Sequence, residues 1–192
     1  MKDFINSLSI VKEDTWEKVS SLFVQMDLKK GNFFVNEKRV ATKIAFLQKG
    51  VLRAFYKNEK GTEYNKHFFT PPCFVGGYSS LISGKQNQIL QQALTDCSLL
   101  VADFNKFSKL YDTCPDLERV ARKLAEWHFV HKEQREIDIV LLDAGKRYRM
   151  FQKQFQGLEQ LIPQYHIASY LGVTATQLSR IRGKMKDGDL ST

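Results

Sequence analysis

The chain has 192 residues, 43% of them hydrophobic, which is enough for one large globular domain or two small ones with a real core. No run of about 18 apolar residues occurs, and the start MKDFINSLSIVKED is broken by charge too early for a secretory leader, so neither a membrane span nor export is expected and a cytoplasmic protein is. The formal charge is +8, and the three cysteines, Cys73, Cys97 and Cys114, are an odd number without CxxC spacing, which argues against a disulfide framework or a zinc or iron–sulfur site and for free buried thiols.

The first segment reads as helix, with Phe4, Ile5 and Leu8, then Trp16, Val19, Leu22 and Phe23 at helical spacing and Asp14 as a cap. From Gly31 to Ala102 the texture changes to short β-rich runs: Phe33 to Val35, Ile44 to Leu47, Val51 to Tyr56, Tyr64 to Phe69 and Gln91 to Val101. Lys49-Gly50 and the stretch from Asn58 to Gly61 mark hairpins. Many short strands imply a β-sandwich or rolled barrel and not a parallel α/β sheet.

A long helix is predicted next. Thr113 with Asp116 three residues on forms a capping-box-like start, Pro115 suits the first turn, and neither Gly nor Pro recurs until Gly145. As one helix, Asp116 to Asp143 would be about 42 Å long. Leu117, Val120, Leu124 and Trp127 keep the spacing of a coiled-coil seam, which His131, Gln134 and Asp138 interrupt before Leu141; the stripe serves dimerisation or packs on the β region. His128 and His131 lie at i and i+3 without an acidic or thiol pair, so no metal site is expected there. Gly145 is a candidate hinge.

The stretch from Gln164 to Gly183 has the layout of a helix-turn-helix. Ile167, Ala168 and Leu171 share one face of a first helix, with Ala168 small where the helices cross. Gly172 takes the turn, Thr174 caps the second helix through its hydroxyl, and Leu178, Ile181 and Met185 give that helix a buried stripe. At about 100° per residue, Thr176, Ser179, Arg180 and Gly183 fall on the opposite face, while Arg182 falls near the buried edge. Thr176, Ser179 and Arg180 are therefore the candidate base contacts, Arg180 foremost because its guanidinium can give two hydrogen bonds to guanine O6 and N7. Gln164, Thr174, Gln177, Arg182 and Lys184 are the candidate phosphate contacts. Between Ala144 and Lys186, Lys146, Arg147, Arg149, Lys153, Arg180, Arg182, Lys184 and Lys186 face Glu159 as the single acid, so most of the positive excess surrounds this motif.

The order of N-terminal helix, β-roll, long helix and helix-turn-helix resembles the Crp/Fnr family of bacterial transcription regulators. The resemblance is carried by Arg147-Tyr148, Ile162-Pro163, the run from Ile167 to Thr174 and the run from Leu178 to Arg182, with weaker support from Phe46 to Arg53 and Phe74 to Gly77. It implies an α+β architecture: a cyclic-nucleotide-binding-like β-roll of the double-stranded β-helix type over residues 1–112, a dimerisation helix over 113–144 and a winged-type helix-turn-helix over 145–192. It also implies a homodimer on double-stranded DNA, RNA polymerase as a further partner, and Arg180 at the position where the family commonly reads guanine.

The effector cassette departs from the family. Members that bind cyclic AMP carry Gly-Glu for the ribose and an arginine for the cyclic phosphate; here Gly76 is followed by Gly77, and Lys85, Asn87 and Gln88 stand where the arginine is expected and cannot supply its planar fork. No cofactor is expected, and any small-molecule effector would not be cyclic AMP. No cysteine precedes Cys73, against an iron–sulfur sensor, and His67 is the one histidine in the roll, against a haem sensor. No GxSxG, HExxH, P-loop or GxGxxG occurs, so an enzyme is not expected. The reading is a sequence-specific transcription regulator; the alternative is an effector-binding module whose helix-turn-helix contacts protein. Operator, target genes and sign of regulation are not encoded in any motif.

Overall fold

The structure, a computed structural model, describes residues 1–186, with Lys186 described by its backbone alone. Contacts divide the chain into two compact units, residues 1–54 with 68–130, and residues 55–67 with 131 onward. The division cuts the long helix at Val130 and His131 and gives the end of one β-hairpin to the C-terminal unit, where the sequence suggested boundaries at 112/113 and 144/145.

The N-terminal segment is two helices, α1 (Lys2–Leu8) and α2 (Glu13–Ser21), and Asp14 sits inside the first turn of α2, which starts after Lys12. Eight strands follow among the described residues: β1 (Val24–Leu28), β2 (Phe33–Val35), β3 (Lys43–Lys49), β4 (Leu52–Lys57), β5 (Glu63–Phe69), β6 (Cys73–Gly76), β7 (Leu90–Ala93) and β8 (Cys97–Asp103). They form two four-stranded sheets, ordered β1-β8-β3-β6 and β2-β7-β4-β5. Every strand pair with an assigned register is antiparallel, as the short-strand texture implied. Two differences from the sequence reading have a physical cause. β1 (VQMDL) carries a charge and lies at a sheet edge, so its apolar alternation is weak. The run from Gln91 to Val101 is two strands, because the chain turns at Thr95-Asp96 back past Gly50. Gly50 has φ +94°, and a Cβ there would overlap the Asp96 carbonyl and Cys97, so only glycine permits this approach.

The period of two along β3 explains its nearly unbroken burial. Ala45 and Leu47 point between the sheets, where they meet Leu28, Leu52, Val75, Ala93, Leu99 and Val101. Ile44 points the other way, into a second cluster with Ile5, Val11, Val19, Phe104, Phe107, Leu117 and Val120, and Phe46 on the same face packs on Phe4 and Phe74. Two short helices, α3 (Tyr78–Ser83) and α4 (Phe104–Lys109), belong to this unit.

The long helix α5 runs from Pro115 to Leu141, 27 residues or about 40 Å, with proline in its first turn as expected. The capping box does not form. The Thr113 hydroxyl donates to the Leu110 carbonyl, while the Asp116 carboxylate accepts from the Lys12 N–H at 2.8 Å and the Thr15 hydroxyl at 3.0 Å, serving the start of α2. Leu117 and Val120 are buried in the N-terminal unit, so that end of the expected seam is spent on the roll's own core. Beyond it Trp127, Phe129, Val130, Ile137, Ile139, Val140 and Leu141 are exposed.

The C-terminal unit contains α6 (Ala144–Gln154), α7 (Leu158–Leu161), α8 (Gln164–Leu171) and α9 (Ala175–Lys186). Gly145 lies within the first turn of α6, and the chain turns at Leu142-Asp143, where the Asp143 carboxylate caps α6 by accepting from the Lys146 N–H at 2.8 Å. The core is Tyr148, Phe151, Phe155, Leu158, Ile162, Ile167, Ala168, Tyr170, Leu171 and Leu178, all buried. The wing implied beside such a motif would fall on residues 187–192, outside the described residues.

Polar groups fasten three further pieces within this unit. Arg147 donates to the carbonyls of Leu142 and, at 3.0 Å, Leu171, joining the last turns of α5 and α8. The Arg135 guanidinium stacks 3.7 Å from the Tyr170 ring centroid and donates to the Tyr170 carbonyl at 2.9 Å; burial pulls its pKa down. The β4–β5 hairpin is pinned to α8 as well. The Asn65 N–H donates to the Ser169 hydroxyl at 3.0 Å, that hydroxyl donates to the Glu63 carbonyl at 2.9 Å, and the buried Asn65 amide donates to the His166 carbonyl at 2.9 Å.

Two stability predictions follow from these contacts. Burial pushes the Asp116 carboxyl up, but hydrogen bonds from the Lys12 N–H, the Thr15 hydroxyl and the Leu117 N–H outweigh it and hold the carboxyl below the ordinary range. A depressed folded pKa stabilises above the unfolded value of about 3.9 and is lost as pH falls through the folded value. Asp116→Asn should therefore flatten the acid limb of the stability curve, measured by urea unfolding between pH 6 and about pH 3; an unchanged limb would contradict the assignment. Asn65→Leu should cost about 1–3 kcal/mol in the same measurement at neutral pH, because it removes the buried amide's bond to the His166 carbonyl and its contact with the His166 ring. A neutral effect would mean that the hairpin is not held this way.

Candidate nucleic-acid interface

The two helices of the motif are built as the sequence requires. After α8, Gly172 adopts φ +69°, the Val173 N–H donates to the Ala168 carbonyl at 3.0 Å and the Gly172 N–H to the Ser169 carbonyl at 3.3 Å, a Schellman termination that turns the chain at once. α9 then starts with a reciprocal cap. The Gln177 N–H donates to the Thr174 hydroxyl at 3.2 Å, and the Thr174 N–H donates to Gln177 Oε1 at 2.8 Å. The hydroxyl cap matches the expectation for Thr174; the return bond from Gln177 was not foreseen, although the Thr-x-x-Gln spacing announces it.

Burial divides α9 as the helical period demands. Leu178 is fully buried, Ile181 and Met185 are half-buried, and Thr176, Ser179, Arg180, Gly183 and Lys184 are exposed. Thr176, Ser179 and Arg180 thus share one accessible face. Gln164, at the start of α8, and Thr174 and Gln177, at the start of α9, are exposed too, each at the positive end of its helix. Tyr64 and Tyr165 line a hollow beside them together with Ala175 and Gln177.

The basic residues are not all part of this surface. Lys146, Lys153, Arg180 and Lys184 are exposed, whereas Arg147 is committed to carbonyls and Arg182 is half-buried, lining a hollow with Tyr148 and Glu159. Sequence reasoning missed the fastening groups Asn65, His166, Ser169 and Glu159. Their one advance signal was polarity inside apolar stretches, His166 and Ser169 being three apart on the helix that Ile167 and Ala168 bury.

The effector cassette lies in the N-terminal unit, at the end of β6 and the start of α3. Gly76 ends β6 and its carbonyl accepts from Gln91 Nε2 at 2.7 Å. Gly77 precedes α3, and a Cβ on it would lie 3.1 Å from both Asn87 Oδ1 and the Ala41 Cβ and 3.2 Å from Val35 Cγ1. Asn87 is buried, donating through its amide to the carbonyls of Asn36 and Ile89, and its backbone pairs with Lys38 and Arg39. Lys85 and Gln88 are exposed. The chain's own side chains therefore crowd Gly77, and any side chain there would need Ala41, Asn87 and Val35 to give way slightly.

No family model matches the chain, and no curated protein matches it. Among solved structures, FixK2 from Bradyrhizobium japonicum superposes with a TM-score of 0.75 at 17% identity over 88% of each chain. The c-di-GMP-responsive global regulator CLP of Xanthomonas campestris gives 0.71 at 14% identity, over 93% of this chain and 94% of that one. A protein of Eubacterium rectale assigned to the Crp/Fnr family of transcriptional regulators gives 0.73 at 17% identity, over 93% and 85%. No described helix is long and apolar enough to cross a membrane. With its paired four-stranded sheets, long helix and helical C-terminal unit, the chain has the fold of the Crp/Fnr regulators.

Proposed function

We propose that the protein is a sequence-specific DNA-binding transcription regulator that works as a homodimer in the cytoplasm and performs no catalysis. The observation that carries this reading is the capped helix pair whose second member leaves Thr176, Ser179 and Arg180 exposed on one face. In this reading α9 enters the major groove, Arg180 gives two hydrogen bonds to a guanine, and Thr176 and Ser179 contact neighbouring base edges. Gln164, Thr174, Gln177 and Lys184 meet phosphates, the first three with the help of the helix N-termini. A second copy would cover Phe129, Val130, Ile137, Val140 and Leu141, exposed apolar residues that fall on one side of α5. RNA polymerase is the partner through which such a regulator acts.

We further propose that the roll does not respond to cyclic AMP. A cyclic phosphate brings a charge that must be paired, and neither a glutamate beside Gly76 nor an arginine in the window from Lys85 to Leu90 is present. The crowding around Gly77 and Asn87 supports the same conclusion. An effector of different chemistry, as the name of the c-di-GMP-responsive neighbour illustrates for that protein, remains compatible with the fold.

Substitution tests the DNA reading. Arg180→Ala should cost about 1–3 kcal/mol at the preferred site and relax preference at one base pair, whereas Lys184→Ala should weaken all duplexes alike and make the salt dependence shallower by about one ion. Equal losses for Arg180→Ala on preferred and random duplexes would contradict the assignment. Calorimetric titration with cyclic AMP should give no stoichiometric heat at micromolar concentration, since loss of one partner to a buried charge costs about 2–5 kcal/mol; saturable micromolar binding would overturn the reading of the cassette.

A further inference from the structure

The C-terminal unit contains a polar node that the DNA-facing side does not use. Tyr148 of α6 is 2% exposed and its hydroxyl donates to Glu159 Oε1 on α7; Gln152 Nε2 donates to Glu159 Oε2 at 3.0 Å. Arg182 of α9, half-buried, lines one hollow with Tyr148, Glu159 and Met185 on that side of the helix. Burial and Glu159 together push the Tyr148 phenol up to about 12, and Arg182 draws it back. Glu159 is the one acid between Ala144 and Lys186, and it stands where α6, α7 and α9 converge.

Arg182 follows Arg180 by two residues, about 200° around the helix, so the two side chains leave α9 on nearly opposite sides. Whatever holds Arg182 therefore fixes the rotation of the helix that aims Arg180. A rotation of about 20° about the axis carries a side-chain tip at about 6 Å radius through about 2 Å, more than a bidentate hydrogen bond tolerates. The apolar contacts of Leu178, Ile181 and Met185 are non-directional and resist such a roll weakly. A guanidinium lining the same hollow as a buried tyrosine and its carboxylate partner can resist it by charge and by direction.

We infer that Glu159 and Arg182 are positioning residues for base reading: through Tyr148 they lock the axial rotation of the recognition helix, and Arg182 is an internal anchor instead of a phosphate contact. The inference rests on the DNA reading above. It predicts that specificity, not phosphate attraction, depends on this node.

The test uses the full chain as wild type and as Tyr148→Phe, Glu159→Leu, Glu159→Gln and Arg182→Gln, and Glu159→Leu combined with Arg180→Ala. Without DNA, the Arg182 Nε–H signal in nitrogen-15 spectra should exchange slowly in the wild type and fast in Tyr148→Phe and Glu159→Leu. With DNA, Glu159→Leu and Arg182→Gln should lower the ratio of specific to random-duplex affinity by about fivefold or more at an unchanged salt slope. Glu159→Gln, which still offers Tyr148 an acceptor, should recover most of that ratio. The double variant should lose little selectivity beyond Arg180→Ala alone. A uniform loss with a slope shallower by about one ion in Arg182→Gln would make Arg182 a phosphate contact and overturn the inference, as would fully additive losses or a fast-exchanging Arg182 in the wild type. A wild type that selects no duplex while Arg182 stays protected refutes the DNA reading, and base positioning with it, but leaves the node intact, so the two failures are distinguishable.

Discussion

An α-helix ends with carbonyl groups that its own hydrogen-bond ladder cannot use, and in the C-terminal unit one guanidinium answers for two helices at once. Arg147 bonds the Leu142 carbonyl at the end of α5 and the Leu171 carbonyl at the end of α8, and Arg135 adds a bond to Tyr170 one residue earlier. Both arginines point positive charge at negative helix ends, where burial lets the charge act at short range. The placement of α8 follows from this, then the turn at Gly172, and through the turn the start of α9. A lysine could not replace Arg147, because a single ammonium lacks the planar fork that spans two carbonyls.

This use of cations changes what the charge of the region means. Eight basic residues between Ala144 and Lys186 suggest a wholly external field, yet Arg147 is consumed by carbonyls and Arg182 is half-buried. Among the described basic side chains there, the exposed ones are Arg180 and Lys184 on α9 and Lys146 and Lys153 on α6. In the proposed reading, such a surface, less charged than composition alone implies, suits discrimination between sequences better than mere attachment to phosphate.

How much of this was legible in the sequence depended on whether the signal was local. Gly172, Thr174 and the stripe Leu178, Ile181, Met185 are set by turn geometry and helical period, and the structure has the turn, the cap and a buried Leu178, with Ile181 and Met185 half-buried. The strands with apolar alternation were legible as well. The two-helix start, the edge strand β1 and the use of Asp116 at the start of α2 were not, because each depends on a partner distant in the chain: Asp116 reads as a cap for its own helix until Lys12 and Thr15 are seen beside it. For the clip from Asn65 to Ser169 and His166 the sequence showed polar residues in apolar stretches but not their pairing, a contact across 101 or more residues.

Selection of bound duplexes from a random pool is the most direct measurement of the central claim, that the face carrying Arg180 reads a base sequence in the major groove. The account predicts enrichment of an inverted repeat whose half-sites are centred about 34–36 Å apart, each containing a guanine that the wild type requires. A pool that binds without enrichment, or an enriched site lacking two-fold symmetry, would contradict it.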